Sequence, residues 1–353
     1  MYRMMLPFAF AVPTVLAATP LNPVPMENLP RKVLIGTMSH NFSGSAAERI
    51  AQVREWVGKV ADDAAEKYPN RRLDLVVTGE CAVCDGQRSG PGSSPKRALE
   101  VETIVSELGP LAKSLGSYLA LGAIFWDKAS DGSRVPRNGV ILLDRQGKLK
   151  GIYRKVHLAL NWDDPDPKET EAGLIPGSDF PVFDCDFGKV GFLVCFDMSY
   201  PDGWAELKRK GAEVVAIPTA SPQTLRPRLF AHMHQYYVVT ATPRNNASIF
   251  DPLGYEAAQV EENEAVLTGE IDLSYAILHW SATLKAGQKF IDAYGADNVG
   301  FRYRAREDNG IFWSNDPKRT IGDMMRGIKL NSRDDSAAQA KRVQDMLREK
   351  LEK

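Results

Sequence analysis

The sequence predicts a layered α/β protein whose sheets contain both parallel and antiparallel strands. Short apolar runs rich in β-branched residues alternate along most of the chain with stretches in which apolar residues recur at helical spacing. Two pairs of these runs are separated by only a few turn residues, which is typical of hairpins and argues against a purely parallel sheet. The 353 residues suffice for one large domain or two.

The predicted elements follow one another closely from residue 33 onward. The runs that we interpret as strands are residues 33–38, 73–78, 118–125, 139–144, 149–153, 182–187, 190–194, 213–217, 236–241, 247–250 and 265–271. A first helix is expected after Ser45, which forms a capping box with Glu48. Further helices are expected at residues 99–115, 201–210, 225–235 and 336–350. Hairpin turns are predicted at 145–148 and 188–189, whereas residues 280–313 are aromatic-rich without a clean period.

Charge and the N-terminal residues limit the class of protein and its compartment. The net charge of -1 gives no basic field for nucleic acid. Residues 4–16 are apolar, follow one positive charge, and precede small residues, so we interpret 1–18 as a signal peptide and the proline-rich 19–30 as a linker. The alternative is a buried N-terminal segment. The apolar run is too short for stable membrane insertion, and we expect an exported, periplasmic or secreted protein.

Four cysteines occur, and only Cys195 ends a predicted core strand with polar and turn residues directly after it. Taken alone, a buried structural cysteine is the commoner explanation of such a position. Cys81 and Cys84 form a C-x-x-C, which we interpret as structural thiols or a local disulfide. His232 and His234 diverge on a helix, and we expect no metal site.

Glu80, Lys155 and Cys195 each lie where a predicted strand becomes a loop, the place where sites collect in α/β folds. A carboxylate, an ammonium group and a thiol form a complete set for acyl transfer. The carboxylate can take the thiol proton, and the ammonium group can stabilise an oxyanion. Each residue taken singly is more often a solvated charge at a strand end, and the sequence alone does not bring the three together.

Three blocks around these residues resemble the signature blocks of the nitrilase superfamily, the carbon–nitrogen hydrolases. They read DLVVTGE at 74–80, YRKVHL at 153–158 and VGFLVCFD at 190–197, in the order and spacing of that family. Asn138 and the short stretches 176–177, 211–215 and 251–254 support the resemblance, which covers residues 31–275. The family usually has proline before the first glutamate, where this chain has Gly79.

The resemblance implies an α-β-β-α sandwich with mixed sheets, often assembled as a homodimer or higher homo-oligomer. It implies a Glu-Lys-Cys triad, carried onto Glu80, Lys155 and Cys195, and a supporting glutamate, for which Glu171 fits best and Glu169 is the rival. The backbone N–H of Phe196 is expected to help hold the oxyanion. No metal or organic cofactor is expected, and residues 276–353 are expected to form an extension that packs on the core or the dimer surface.

The expected reaction is hydrolysis of a small-molecule amide or carbamoyl bond through a thioester on Cys195. Nitrile-cleaving members of the family typically carry Cys-Trp-Glu, whereas this chain continues with Phe196 and Asp197, as amidases and carbamoylases do. Asn161, Trp162 and Asp197 are the predicted substrate contacts. The acids near Trp162 hint at a polar or cationic substrate, although a solvated loop is the commoner explanation of such residues. Nitrile hydrolysis, acyl transfer to an amine and a non-catalytic binding protein are the alternatives.

Overall fold

A computed structural model describes residues 25–86, 94–160, 170–279 and 287–351. The predicted signal peptide at 1–18 and the first half of the predicted linker at 19–30 lie outside the described residues. Asn161, Trp162 and Glu169 also lie outside them. In the described ranges, no helix has both the length and the apolar character needed to cross a membrane.

Two large mixed sheets form the centre of the molecule. The strands of the first sheet are β1 (Lys32–Ser39), β2 (Leu75–Val77), β3 (Leu99–Glu100), β4 (Tyr118–Lys128), β5 (Arg134–Leu143), β6 (Leu149–Arg154) and β13 (Ala265–Asp272). Those of the second are β7 (Val182–Cys185), β8 (Gly188–Phe192), β9 (Val214–Pro218), β10 (Tyr237–Ala241), β11 (Ala247–Phe250) and β12 (Glu256–Val260). Parallel pairs such as β8 with β9 coexist with antiparallel pairs such as β4 with β5.

Helices cover the outer face of each sheet. The helices of the described chain are α1 (Ala46–Lys67), α2 (Val101–Leu115), α3 (Pro201–Arg209), α4 (Leu225–His234), α5 (Gln288–Tyr294), α6 (Ile321–Gly327) and α7 (Arg333–Leu351). Alternate residues of β1 point to opposite faces, as a strand requires. Leu34 packs in the cluster that contains α1 and α2, whereas Val33 and Ile35 pack toward the second sheet. Trp204 of α3 is fully buried on the other side of the molecule. The predicted α-β-β-α arrangement with mixed sheets is thereby observed.

The remaining residues form a small third sheet that packs against the main core. Its strands are β14 (Tyr275–His279), β15 (Val299–Arg304) and β16 (Asn309–Ser314), in the order β14-β16-β15. Strands β15 and β16 lie almost entirely in the stretch, residues 280–313, where the sequence showed no clean period. Strand β16 pairs with both β14 and β15, and a single-segment pattern does not contain that cross-strand information.

The second predicted hairpin turn was placed two residues too late. Cys185 pairs with Gly188, so Asp186 and Phe187 make the turn and Gly188 already belongs to β8. Arg145, from the turn between β5 and β6, donates hydrogen bonds of 2.7 and 2.8 Å to the carboxylate of Asp186. This contact between the two sheets stabilises the turn at Asp186 and Phe187. Because it joins residues that are distant in the sequence, the residues of the turn alone do not predict it. Strand β12 was also missed by the sequence analysis.

Candidate active site

The ends of three strands bring Glu80, Lys155 and Cys195 to one side of the sandwich. Glu80 follows β2 by three residues, Lys155 follows β6 directly, and Cys195 follows β8. The first two strands belong to one sheet and the third to the other. The site therefore lies at the carboxyl ends of strands from both sheets. An isolated β-bridge between Ser39, at the end of β1, and Thr242, directly after β10, also joins the two sheets.

Lys155 is held between two carboxylates in the interior. Its Nζ lies 2.9 Å from Oε1 of Glu80 and also donates to Oε1 of Glu171. The side chains of Lys155 and Glu80 are 0% and 2% exposed, and that of Glu171 is 19% exposed. A buried ammonium group needs such partners, because its desolvation would otherwise be too costly.

Asn138 in β5 links the same two carboxylates from the other direction. Its amide nitrogen donates to Oε1 of Glu80 at 2.9 Å and to Oε2 of Glu171 at 3.1 Å. The backbone N–H of Ala220 donates to the second Glu80 oxygen at 3.0 Å. These contacts fix both carboxylates before any substrate arrives, which is the preorganisation that electrostatic catalysis requires.

The charges of the two glutamates keep Lys155 protonated. Burial by itself lowers the pKa of Lys155, but Glu80 and Glu171 outweigh it and hold that pKa well above its ordinary value. An ammonium group has three N–H donors. The two carboxylates take two of them, and among the described residues the third N–H has no acceptor, so it can meet a developing oxyanion.

Cys195 begins a short 3-10 turn, Cys195–Ser199, in an unusual backbone conformation. Its φ of 45° lies in the left-handed region, where residues other than glycine are uncommon and are concentrated at functional sites. Burial raises the pKa of the Cys195 thiol to about 11, and the charge of Glu80 adds to the rise. Lys155, the backbone N–H of Ala220 and the hydroxyl of Thr219 act in the opposite direction. The resting group is therefore a neutral thiol that needs a base.

Close packing of two backbones positions Glu80. A Cβ added to Gly122 of β4 would lie 2.2 Å from the carbonyl oxygen of Gly79, so only glycine permits this approach. The N–H of Gly122 donates to the hydroxyl of Thr78 at 3.1 Å. By contrast, a Cβ at Gly79 would meet its nearest atoms at 3.9 Å. The turn that presents Glu80 is therefore held by β4.

Asp197 has a different setting from the substrate contact that the sequence analysis predicted. It is fully buried, and its carboxylate accepts hydrogen bonds from the Tyr153 hydroxyl at 2.7 Å and from the backbone N–H groups of His157 and Val194 at 2.7 and 2.9 Å. Protein donors occupy the carboxylate, so we assign Asp197 a positioning role. It ties the turn that begins at Cys195 to the segment that carries Lys155.

Phe196 and His157 lie on the outer side of that turn. The Phe196 ring packs edge-on against Tyr200, with 5.5 Å between centroids, and the role of its backbone N–H stays a prediction. His157 stacks on Tyr200 at 4.0 Å. The Asp197 carboxylate, whose Oδ1 lies 3.2 Å from Nδ1 of the imidazole, raises the pKa of His157, against the effect of burial. His157 thus packs beside that turn.

The other candidate groups show no metal-binding arrangement. All four cysteines, including Cys81 and Cys84, are free thiols, so the local disulfide is not formed. His232 directs Nδ1 at the carbonyl oxygen of Leu253, 3.1 Å away. Among the residues that the structure describes, no group of three histidine, cysteine, aspartate or glutamate side chains could hold a metal ion.

Comparisons with known proteins agree with this fold. The family model for carbon–nitrogen hydrolases matches residues 38–278. A protein described as omega-amidase NIT2-A from Xenopus laevis is 31% identical over 62% of this chain and 82% of its own length. A hydrolase encoded in the pqqF 5' region of Pseudomonas protegens is 30% identical, over 47% of this chain but only 60% of that protein. The crystal structure of Nit3 from Saccharomyces cerevisiae, a nitrilase-superfamily member, superimposes with a TM-score of 0.57 at 21% identity, over 76% of this chain and 96% of Nit3.

The chain is thus a hydrolytic enzyme of the α-β-β-α type. It belongs to the carbon–nitrogen hydrolase family, within the nitrilase superfamily. The predicted family, fold and enzyme class are confirmed.

Sequence reasoning named most of the residues that meet here and missed some of their contacts. It noted Asn138 only as a supporting match, and it did not consider Thr219 or Ala220. These two follow β9, which pairs in parallel with β8, so their approach to Cys195 follows from the shared edge of parallel neighbours. Glu171 lies against Lys155, while its rival Glu169 is outside the described residues.

Proposed function

We propose that the enzyme hydrolyses an amide or carbamoyl bond of a small molecule through a thioester on Cys195. The observation that carries this proposal is the buried Lys155, held between Glu80 and Glu171 and coupled electrostatically to Cys195. The description of the Xenopus relative as an omega-amidase supports an amide as the substrate. Lys155 is too deeply buried and too specifically paired for a merely solvated charge.

The groups present account for both halves of the reaction. Glu80 takes the thiol proton as sulfur attacks the carbonyl carbon, and the free N–H of Lys155, together with the backbone N–H of Phe196, holds the oxyanion. Glu80 then gives the proton to the departing nitrogen, so that ammonia or an amine leaves and the thioester remains. Water loses a proton to Glu80 and attacks the thioester. The acid is released, and the thiol regains its proton.

An amide fits this arrangement better than a nitrile. The leaving nitrogen of an amide must be protonated, and the Glu80 carboxyl formed in the first step can supply that proton. The amide also presents an oxygen whose growing charge Lys155 can meet. Acyl transfer to an amine would use the same thioester and is the second candidate.

Substitution of each triad residue tests the proposal. Cys195→Ala, Glu80→Gln and Lys155→Met should each lower kcat by at least about 10²-fold, since each removes a group that acts in the transition state. Cys185→Ala, which removes a free thiol outside the site, is the matched control and should retain activity.

The assay should measure released ammonia or amine from amides, N-carbamoyl amino acids and nitriles, with intact mass to detect an acyl group on Cys195. Near wild-type kcat in any one triad variant would show that its assigned role is wrong. Faster turnover of nitriles than of every amide would overturn the choice of substrate.

A further inference from the structure

The His157 ring lies between two carboxylates that belong to different elements. Its Nδ1 is 3.2 Å from Oδ1 of Asp197, which lies in the 3-10 turn that begins at Cys195. Its Nε2 is 3.3 Å from Oδ2 of Asp202, in the first turn of α3. The Tyr200 ring stacks on the imidazole with 4.0 Å between centroids. These neighbours leave 18% of the His157 side chain exposed, so the ring is held in one orientation.

The doubly protonated ring is the form that satisfies both carboxylates. A neutral imidazole carries one N–H donor and one nitrogen with a lone pair. In a neutral His157 that lone pair would point at one of the two carboxylates, whereas the imidazolium offers an N–H to each. Asp197 and, to a smaller extent, Asp202 raise the pKa of His157, against the effect of burial. His157 therefore keeps its proton to higher pH than a free histidine does.

Asp197 depends on His157 for its counter-charge. No lysine or arginine of the described chain forms an ion pair with this fully buried carboxylate. Lys155 is near enough to interact with its charge, but the Lys155 ammonium group donates to Glu80 and Glu171. Removing one partner of a buried ion pair is strongly destabilising, because the remaining charge is left uncompensated. Loss of the His157 proton would leave Asp197 in that state.

The Asp197 carboxylate in turn fixes the backbone that carries the nucleophile. It accepts hydrogen bonds from the N–H of Val194, the residue before Cys195, at 2.9 Å and from the Tyr153 hydroxyl at 2.7 Å. Cys195 has a φ of 45°, and a residue in this region stays there only when its surroundings hold it. A displacement of Asp197 would therefore displace Cys195.

We propose that His157 is a positioning residue that acts as an imidazolium: by bridging Asp197 and Asp202, it keeps Cys195 in position for attack. The inference rests on the proposed thioester mechanism and adds its dependence on pH. Because the pKa of His157 is raised in the folded protein, the Asp197–His157–Asp202 bridge is complete at low pH. It is lost as the pH rises through that raised pKa.

The other ionisable groups around Cys195 keep their protons over this range. Burial holds the pKa of Tyr153 well above its ordinary value, and that of the Cys195 thiol is raised to about 11. Burial lowers the pKa of Lys155, but the two neighbouring glutamates raise it well above its ordinary value. For the amide that is hydrolysed fastest in the panel, kcat/KM should therefore show an alkaline limb with the pKa of His157.

Asp202→Asn tests the bridge without altering a buried group. It removes an exposed carboxylate that raises the pKa of His157, so the alkaline limb should move to lower pH. Asp179→Asn is the matched control, because it removes an equally exposed carboxylate that pairs with Lys210, and it should leave the limb in place. NMR titration of the histidine rings should show the same shift for His157. The chain has five histidines, and the spectrum of His157→Gln identifies this one.

His157→Gln tests the consequence for Cys195. The neutral amide cannot supply the charge, so kcat/KM should fall roughly 10- to 100-fold on the acidic side of the limb, as expected when a reacting group is misplaced. The limb itself should disappear. In hydrogen exchange, the peptide that contains residues 194–200 should exchange faster than in the unmodified enzyme at the same pH.

The outcomes separate the bridge from the proposed function. A limb that stays in place in Asp202→Asn, or whose midpoint differs from the NMR titration of His157, would overturn the bridge and leave amide hydrolysis intact. A purely structural role would lower the activity of His157→Gln by one factor at every pH and keep the limb, which also overturns it. Asp202→Asn gives the decision if His157→Gln does not fold. If no amide is hydrolysed, the proposed function fails, and NMR and hydrogen exchange still decide whether His157 holds the turn at Cys195.

Discussion

At the scale of single residues, the chemistry depends on how burial and nearby charges set the proton affinity of Cys195. The thiol has a pKa of about 11, raised by burial and then by Glu80, while Lys155 lowers it. A thiol of this kind is not a preformed thiolate. In the proposed mechanism its reactivity near neutral pH depends on proton transfer to Glu80 during attack, and the hydrogen bonds from Asn138 and Ala220 hold Glu80 in place for that transfer.

We predict that alkylation of Cys195 by iodoacetamide will rise with pH through about 11 rather than near the ordinary thiol value of about 8.5. Glu80→Gln removes a negative charge that favours the protonated thiol, so the midpoint should move to lower pH. Lys155→Met removes a cation that favours the thiolate, so the midpoint should move to higher pH. Mass spectrometry of the peptide that contains Cys195 gives the rate at each pH.

A wild-type midpoint near that of a free thiol would contradict this account of the resting state. An upward shift in Glu80→Gln would contradict the assigned effect of the Glu80 charge. Cys185 provides an internal comparison in the same digest, because burial raises the pKa of that thiol to about 12.

At the scale of elements, the site is built where strands end, and backbone packing between neighbouring strands decides where each side chain points. The turn at Gly79 and Glu80 rests on Gly122 of β4, and the segment with Lys155 is tied by Asp197 to the turn at Cys195. The candidate catalytic side chains are therefore positioned in part by residues that take no part in the proposed reaction.

We predict that Gly122→Ala and Gly79→Ala will differ sharply in their effects on stability and kcat, although the two glycines lie on opposite sides of one contact. In Gly122→Ala the new Cβ would press on the Gly79 carbonyl, and we expect a loss of about 1–3 kcal/mol in stability together with lower kcat as Glu80 is displaced. Gly79→Ala should change stability by less than about 0.5 kcal/mol, because the added Cβ has room. Thermal unfolding and steady-state kinetics of both variants measure the difference. Equal effects would show that this contact does not position Glu80.

At the scale of the whole molecule, residues beyond β13 are part of the packed structure. Alternate residues of β14 face two cores: Tyr275 and Ile277 pack with the main sheets, and Ala276 and Leu278 pack with Phe290 and Phe312 in a core of their own. In contrast, α7 has no buried residue. The residues before and after the predicted domain boundary at residue 275 share one hydrophobic core. Export of the protein and the formation of a homo-oligomer remain predictions.

We predict opposite outcomes for two truncations. A chain that ends at Asp272 should be insoluble or unfold at a much lower temperature, because the apolar side chains that β14 covers would be exposed. A chain that ends at Leu330 loses only α7 and the residues beside it, and should remain folded and active. Soluble yield, Tm and amidase activity distinguish the two. A stable, fully active protein ending at Asp272 would contradict the packing role of the third sheet.

The sequence by itself determined the fold class and the order of most strands and helices, and it singled out Glu80, Lys155 and Cys195 as the candidate catalytic residues. These follow from local patterns: period, capping at Ser45, and three blocks read along the chain. Only the tertiary structure decided which groups meet. Asn138 bridges two carboxylates that lie 58 and 33 residues away, and the His157 ring meets Asp197 and Asp202 from another element. Tertiary contacts also decided the position of the turn at Asp186, the strands after residue 298 and the burial of Asp197. The physical reason is that burial, charge compensation and strand pairing act between segments distant in the chain, and no local pattern records them.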